Sequence, residues 1–172
     1  MKFLTKDELS AMLGQAMKSG PLDHLMILIA FNHGFRVSEV LSLTSKNFVD
    51  GHVIMQRLKG SCKTIQRLLP NEVAPIQALL AHRGVGERIF PFDRTTAWRH
   101  VKAIGIAAGI EAFKCFPHGL KHTSAVLGLK GGMTLPEIQT RLGHKSGAST
   151  MAYLRVDDET ADKAFAAAIG GF

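Results

Sequence analysis

Apolar positions recur through the first third of the chain at helical spacing. Leu9, Met12, Leu13 and Ala16 share one side of a first helix, and Thr5 with Glu8 forms a capping box at its start. Pro21 opens a second helix, whose apolar run Leu25–Phe31 predicts a core-buried element ending at Gly34; Ser38–Leu43 predicts a short third helix. The period then changes. His52–Leu58 and Thr64–Leu69 are rich in strand formers and flank Lys59–Lys63, which predicts a hairpin. Helical spacing returns over Asn71–Ala81, with Pro75 limiting where that helix begins, and over Thr95–Ala108, with Trp98, Val101, Ile104 and Ile106 on the buried side. Glu111–Phe116 predicts a short strand, and Pro117 starts a helix to about Leu129. A second capping box, Thr134 with Glu137, opens a helix that stops at Gly143; a further helix carries Tyr153, and an Ala-rich one covers about Glu159–Ile169. The expected fold is therefore mainly α (α+β), a helical bundle with one small antiparallel sheet. No linker divides residues 1–172, so one domain with a tail helix over about 159–172 is expected.

Charge changes the picture more than composition does. Twenty-one Lys and Arg against fourteen Asp and Glu give a formal net charge of +7, which raises the odds of a polyanionic partner. No apolar run reaches the roughly 18 residues a membrane span needs, and no membrane partner is expected. The start of the chain lacks an apolar signal core, and Cys62 and Cys115 form no metal or redox spacing, which together predict a cytoplasmic protein.

Five places hold charged or titratable groups that a packed core does not require. Arg36 sits at a helix junction, where the plainer account is a pair with Glu39 one turn on. Lys59 lies at the hairpin tip with Lys63 across it; lysines at turns are usually solvated. His118 and His122 are four apart on one helix face, a metal-compatible spacing, but no Glu follows His118 as in metalloproteases and no third ligand is evident. No metal is therefore expected, and a metal hydrolase is the remote alternative. His144 stands just past a helix end, where a helix-terminal role is the ordinary one. Tyr153 is the chain's sole tyrosine. Taken singly, each has an ordinary explanation.

Taken in order, they resemble the tyrosine recombinase (phage integrase) family. Gly34-Phe35-Arg36-Val37-Ser38-Glu39 resembles its first arginine box, and Arg57-Leu58-Lys59-Gly60 stands where the family has its hairpin lysine. His118-Gly119-Leu120-Lys121-His122-Thr123 resembles its histidine box, and Leu142-Gly143-His144-Lys145, with Tyr153 nine residues after His144, its closing box. The resemblance spans nearly the whole chain, and is to the short members that lack an N-terminal core-binding domain, such as the fimbrial invertases.

The resemblance implies DNA cleavage and rejoining through a 3′-phosphotyrosyl bond at Tyr153. Arg36 would bind non-bridging phosphate oxygens, Lys59 would protonate the departing 5′-oxygen, His118 would accept the tyrosine proton, and His144 would hydrogen-bond the phosphate. No cofactor is implied. The implied partner is double-stranded DNA with inverted-repeat sites, bound by a homotetramer assembled from free monomers in the nucleoid. The apolar stripe Phe165, Ile169 and Phe172 would dock on a neighbouring subunit. Lys63, Lys145 and the helix bearing Arg94, Arg99 and Lys102 are candidate DNA contacts, against the plainer account of solvated charges. One departure stands out: Lys121 occupies the second arginine's place, near the scissile phosphate on the His118 side. Lysine keeps the charge but loses the planar fork. That implies a weakened site which Lys121→Arg would speed, or a recombinase-derived DNA-binding protein that does not cut.

Overall fold

The computed structural model describes residues 3–57 and 61–148, together with Ala166. Lys59, Tyr153, the tail stripe and, Ala166 apart, the helices expected around them lie outside the described residues. Seven α-helices are described, α1 (Lys6–Ser19), α2 (Pro21–Asn32), α3 (Val37–Leu41), α4 (Pro70–Leu80), α5 (Arg94–Ala107), α6 (Pro117–Lys130) and α7 (Leu135–Leu142), with strands β1 (Phe48–Val49), β2 (His52–Met55) and β3 (Thr64–Arg67). The strands form one antiparallel sheet in the order β1-β2-β3, with His52 opposite Arg67 and Met55 opposite Thr64. The mainly helical class with one small antiparallel sheet is thus as the pattern predicts.

Helix α2 is the centre of the molecule. Every residue from Leu25 to Ala30 is buried, so it has no solvated face, and α1, α4, α5 and α6 pack around it. Leu9, Met12 and Ala16 of α1 face this core, and Thr5 and Glu8 cap α1 reciprocally as expected. A smaller apolar cluster, Ala125, Ile138 and Leu142, joins α6 to α7. Burying α2 whole also buries polar side chains, which must find partners. His33 bridges Gln66 at 3.0 Å and Glu72 at 3.1 Å, and Gln66 in turn donates to the Arg141 carbonyl at 2.8 Å. This seam ties α2, β3, α4 and α7 together behind the site described below.

Three local expectations fail for identifiable reasons. Glu111–Phe116 forms consecutive turns instead of a strand, for no strand edge pairs with it and Lys114 folds back to Glu8 at 2.7 Å. Trp98 and Ile106 are 44% and 50% exposed, because α5 buries the stripe Ala97, Val101, Ile104 and Gly105 instead. Helix α4, Pro70–Leu80, lies within a residue of the expected Asn71–Ala81, but Pro75 sits inside it instead of limiting its start, at the cost of one backbone hydrogen bond.

Candidate active site

The chain turns sharply out of α2 at Gly34, whose φ of +59° suits glycine; a side chain there would also strike Leu142. The next residues place Arg36 at the start of α3. Glu39, fully buried, accepts the Arg36 backbone N–H at Oε2 (2.7 Å) and its guanidinium Nη1 at Oε1 (3.1 Å). The local pair foreseen for Arg36 therefore exists. Its side chain nonetheless keeps 32% exposure and Nη1 also reaches Ser61 Oγ at 3.3 Å, so the cation is anchored at one edge and open at another.

Ser61 links this group to the end of α7. That helix closes on Gly143 in the left-handed region, φ +67°, and the Cys62 N–H donates to the Gly143 carbonyl at 2.8 Å. The turn delivers His144, buried to 9% exposure, beside Ser61. Burial first, then Lys121, Arg36 and Arg57, lower the His144 pKa to about 4, so its imidazole is neutral at pH 7.

Lys121 is 1% exposed, and its Nζ donates to the Leu142 carbonyl at 3.2 Å. Desolvation, then the charges of Arg57 and Arg36, bring its pKa down to about 7 despite Glu39. His118, three residues earlier on α6, is exposed and lies edge-to-face on His122 at 4.8 Å. Its pKa is also lowered, by desolvation and then by His122 and Lys121, which favours a ring able to accept a proton. His118 opens onto a cleft of about 590 Å³ that it shares with Arg94 and Trp98. Among the described residues, no group of three His, Cys, Asp or Glu side chains is placed to hold a metal.

Arg36, Lys121 and His144 thus converge, with His118 on the neighbouring surface. The remaining candidates among the described residues lie outside this cluster. Lys63 is exposed on the rim of a second cleft with Arg67 and Arg141, and Lys145 is exposed just past His144. Arg99 leans on Thr96 at 3.3 Å, and Lys102 sits 4.8 Å from the Trp98 ring centroid. Sequence reasoning left Arg57 without a role. Its side chain is wholly buried, and Nη2 donates to the carbonyls of Gly34 (2.9 Å) and Leu142 (2.8 Å). Nε lies 3.3 Å from Glu39 Oε2, and the guanidinium stacks 4.6 Å from the Phe35 ring centroid. The strand alternation offered a signal, since Arg57 continues the inward series Val53, Met55.

Comparison with known proteins agrees with this architecture. The family model described as the phage integrase family matches residues 2–160. Tyrosine recombinase XerA of Pyrococcus furiosus is 32% identical over 90% of this chain and 57% of its own length. The type 1 fimbriae regulatory protein FimE of Escherichia coli K12 is 28% identical over 88% of this chain and 84% of FimE. The crystal structure of XerH bound to palindromic difH substrate, a post-cleavage complex, superposes with a TM-score of 0.80 at 21% identity, covering 96% of this chain and 52% of that one. The fold is that of a tyrosine recombinase catalytic domain, and the chain belongs to the phage integrase family. It spans a little over half the length of the Xer relatives it matches.

Proposed function

We propose that this chain performs site-specific recombination, cutting and rejoining DNA through a covalent bond to Tyr153. The observation that carries the reading is the convergence of Arg36, Lys121 and neutral His144 on one patch, with the Glu39 carboxylate acting on all three. Such a patch suits the negative charge that builds on a phosphodiester under attack. In the proposed step the Tyr153 phenol oxygen bonds to phosphorus and the bond to the 5′-oxygen breaks. The phenol proton passes to His118, and Lys59 supplies a proton to the leaving 5′-oxygen. The 3′-phosphotyrosyl bond conserves the energy for rejoining, which runs the same steps backward. The partner is double-stranded DNA with inverted repeats, bound by a tetramer; the palindromic difH substrate bound by XerH supports the inverted repeats.

A second reading, DNA binding without cutting, draws on Lys121, whose ammonium is turned inward to Leu142. One experiment separates the two. Duplexes with randomised inverted repeats are first selected for binding to the full chain, then nicked to trap any covalent product. We expect an adduct that peptide mapping places on Tyr153 and that Tyr153→Phe abolishes while binding persists. Selected duplexes that bind yet never become covalent would establish the second reading. An adduct on another residue would remove the tyrosine assignment.

A further inference from the structure

A guanidinium is absent from the histidine box yet present in the site. It enters from the end of β2 instead of from α6. Arg57 Nη2 and Lys121 Nζ donate to one acceptor, the Leu142 carbonyl, at 2.8 and 3.2 Å. That carbonyl ends α7, where the unpaired helix carbonyls attract cations. It also immediately precedes the Gly143–His144 turn. Through Nε the same guanidinium meets Glu39, the residue that orients Arg36. Arg57 is therefore in contact with the supports of both Arg36 and His144, while its own side chain is sealed from solvent.

We propose that Arg57 is a positioning residue standing in for the missing second arginine, and that Lys121 is a lysine because Arg57 already fills the space and the acceptors a guanidinium from α6 would need. This rests on the recombinase reading for its activity readout, but the packing claim stands apart from it. Three observations support the exchange. Nη1 of Arg57 is buried without a hydrogen-bond partner among the described residues, so at least one guanidinium donor there already lacks an acceptor. A second planar fork would add donors to it. The site is crowded as well, since a Cβ on Gly143 would lie 3.1 Å from Arg57 Cγ. Finally, the like charge of Arg57 bears directly on Lys121, and an ammonium, unlike a guanidinium, can relieve that repulsion by shedding its proton.

The test is an exchange of the two side chains, with R57K, K121R and the double variant R57K/K121R compared with the wild-type chain. On a duplex selected as above, each single change is expected to slow single-turnover adduct formation about tenfold or more, and the double to recover to within about threefold of wild type. DNA affinity should stay within about threefold throughout, because Arg57 is sealed from solvent and phosphate contacts elsewhere carry binding. Urea unfolding of the same four proteins gives a readout that needs no DNA. Both single variants should be less stable than wild type, and the double more stable than the sum of their losses implies. Additive losses in both rate and stability would overturn the proposal. If the wild-type chain forms no adduct, the cutting reading fails while the unfolding cycle still decides the exchange. Should R57K not fold, the comparison of K121R with R57M/K121R decides it, because the vacated pocket should then improve the arginine variant; no improvement overturns the proposal.

Discussion

Glu39 grips Arg36 at two points, its backbone N–H at 2.7 Å and its guanidinium at 3.1 Å. The same carboxylate faces the buried Arg57 at 3.3 Å, so it is the hub on which both arginines depend. Removing one partner of a buried pair leaves an uncompensated charge, which typically costs about 3–5 kcal/mol. Glu39→Ala should lose that much in urea unfolding. Arg36→Ala, whose side chain is 32% exposed, should lose roughly 1 kcal/mol or less, because solvent screens that half of the arrangement. Equal losses would mean that Glu39 is not the hub.

Gly143 is held by conformation and by crowding, and the two can be separated. Its φ is +67°, and a Cβ there would lie 3.0 Å from the Cys62 carbonyl, 3.1 Å from Arg57 Cγ and 3.2 Å from Thr64 Cγ2. Gly132 has φ +92° with nothing within 4 Å of the same atom. Gly132→Ala should therefore report conformational strain alone, about 1–2 kcal/mol. Gly143→Ala should cost at least 1 kcal/mol more, since backbone and buried side chains must yield. It should also slow adduct formation by displacing His144. Matching stabilities of the two variants would show that the neighbours give way freely.

Much of this architecture is legible in the sequence because its determinants are local. The Thr5–Glu8 box, the apolar run of α2 and the strand-forming hairpin each lie within one element. The Arg36–Glu39 pair is equally readable, three residues apart. What connects these pieces is not. Arg57 reaches Leu142 across 85 residues, and no periodicity announces a shared carbonyl. The burial of Lys121 is likewise a tertiary result; on its helix it looks like any cation three positions from His118. Trp98 misleads for a related reason, since a large apolar residue on α5 lines the cleft beside His118 instead of filling the core.

That cleft sharpens the expectation for DNA binding. Arg94 lies in it with His118, whereas Arg99 and Lys102 lean on Thr96 and the Trp98 ring. Arg94→Gln should therefore weaken binding to the selected duplexes more than Arg99→Gln or Lys102→Gln. A lost phosphate contact lowers the slope of log K against log salt by about 1. Filter binding across a salt series measures both. An unchanged slope in Arg94→Gln would leave it as a solvated surface charge.

Lys121 makes stability depend on pH in a direction that can be worked out. The groups around it are Arg36 and Glu39 at α3, Arg57 beyond β2, His118 and His122 on α6 and His144 beyond α7. Desolvation, with the charges of Arg57 and Arg36, lowers its pKa from 10.5 to about 7. Between those values the unfolded chain holds a proton that the folded chain lacks, so this group makes stability rise with pH across that window. Below about pH 7 both forms are protonated and the buried ammonium exerts its full penalty. Lys121→Met removes the penalty and also the bond to Leu142. Relative to wild type, the variant should be most favoured near pH 6 and lose that advantage steadily toward pH 10. The total change is at most about 5 kcal/mol, less whatever rearrangement of Arg57 absorbs. Urea unfolding of both proteins over this range gives the difference directly; titrations that Lys121 does not influence cancel from it, and those of His118, His122 and His144 fall at its acid end. A difference that stayed flat with pH would mean that Lys121 keeps its proton throughout, and that Glu39 compensates it fully.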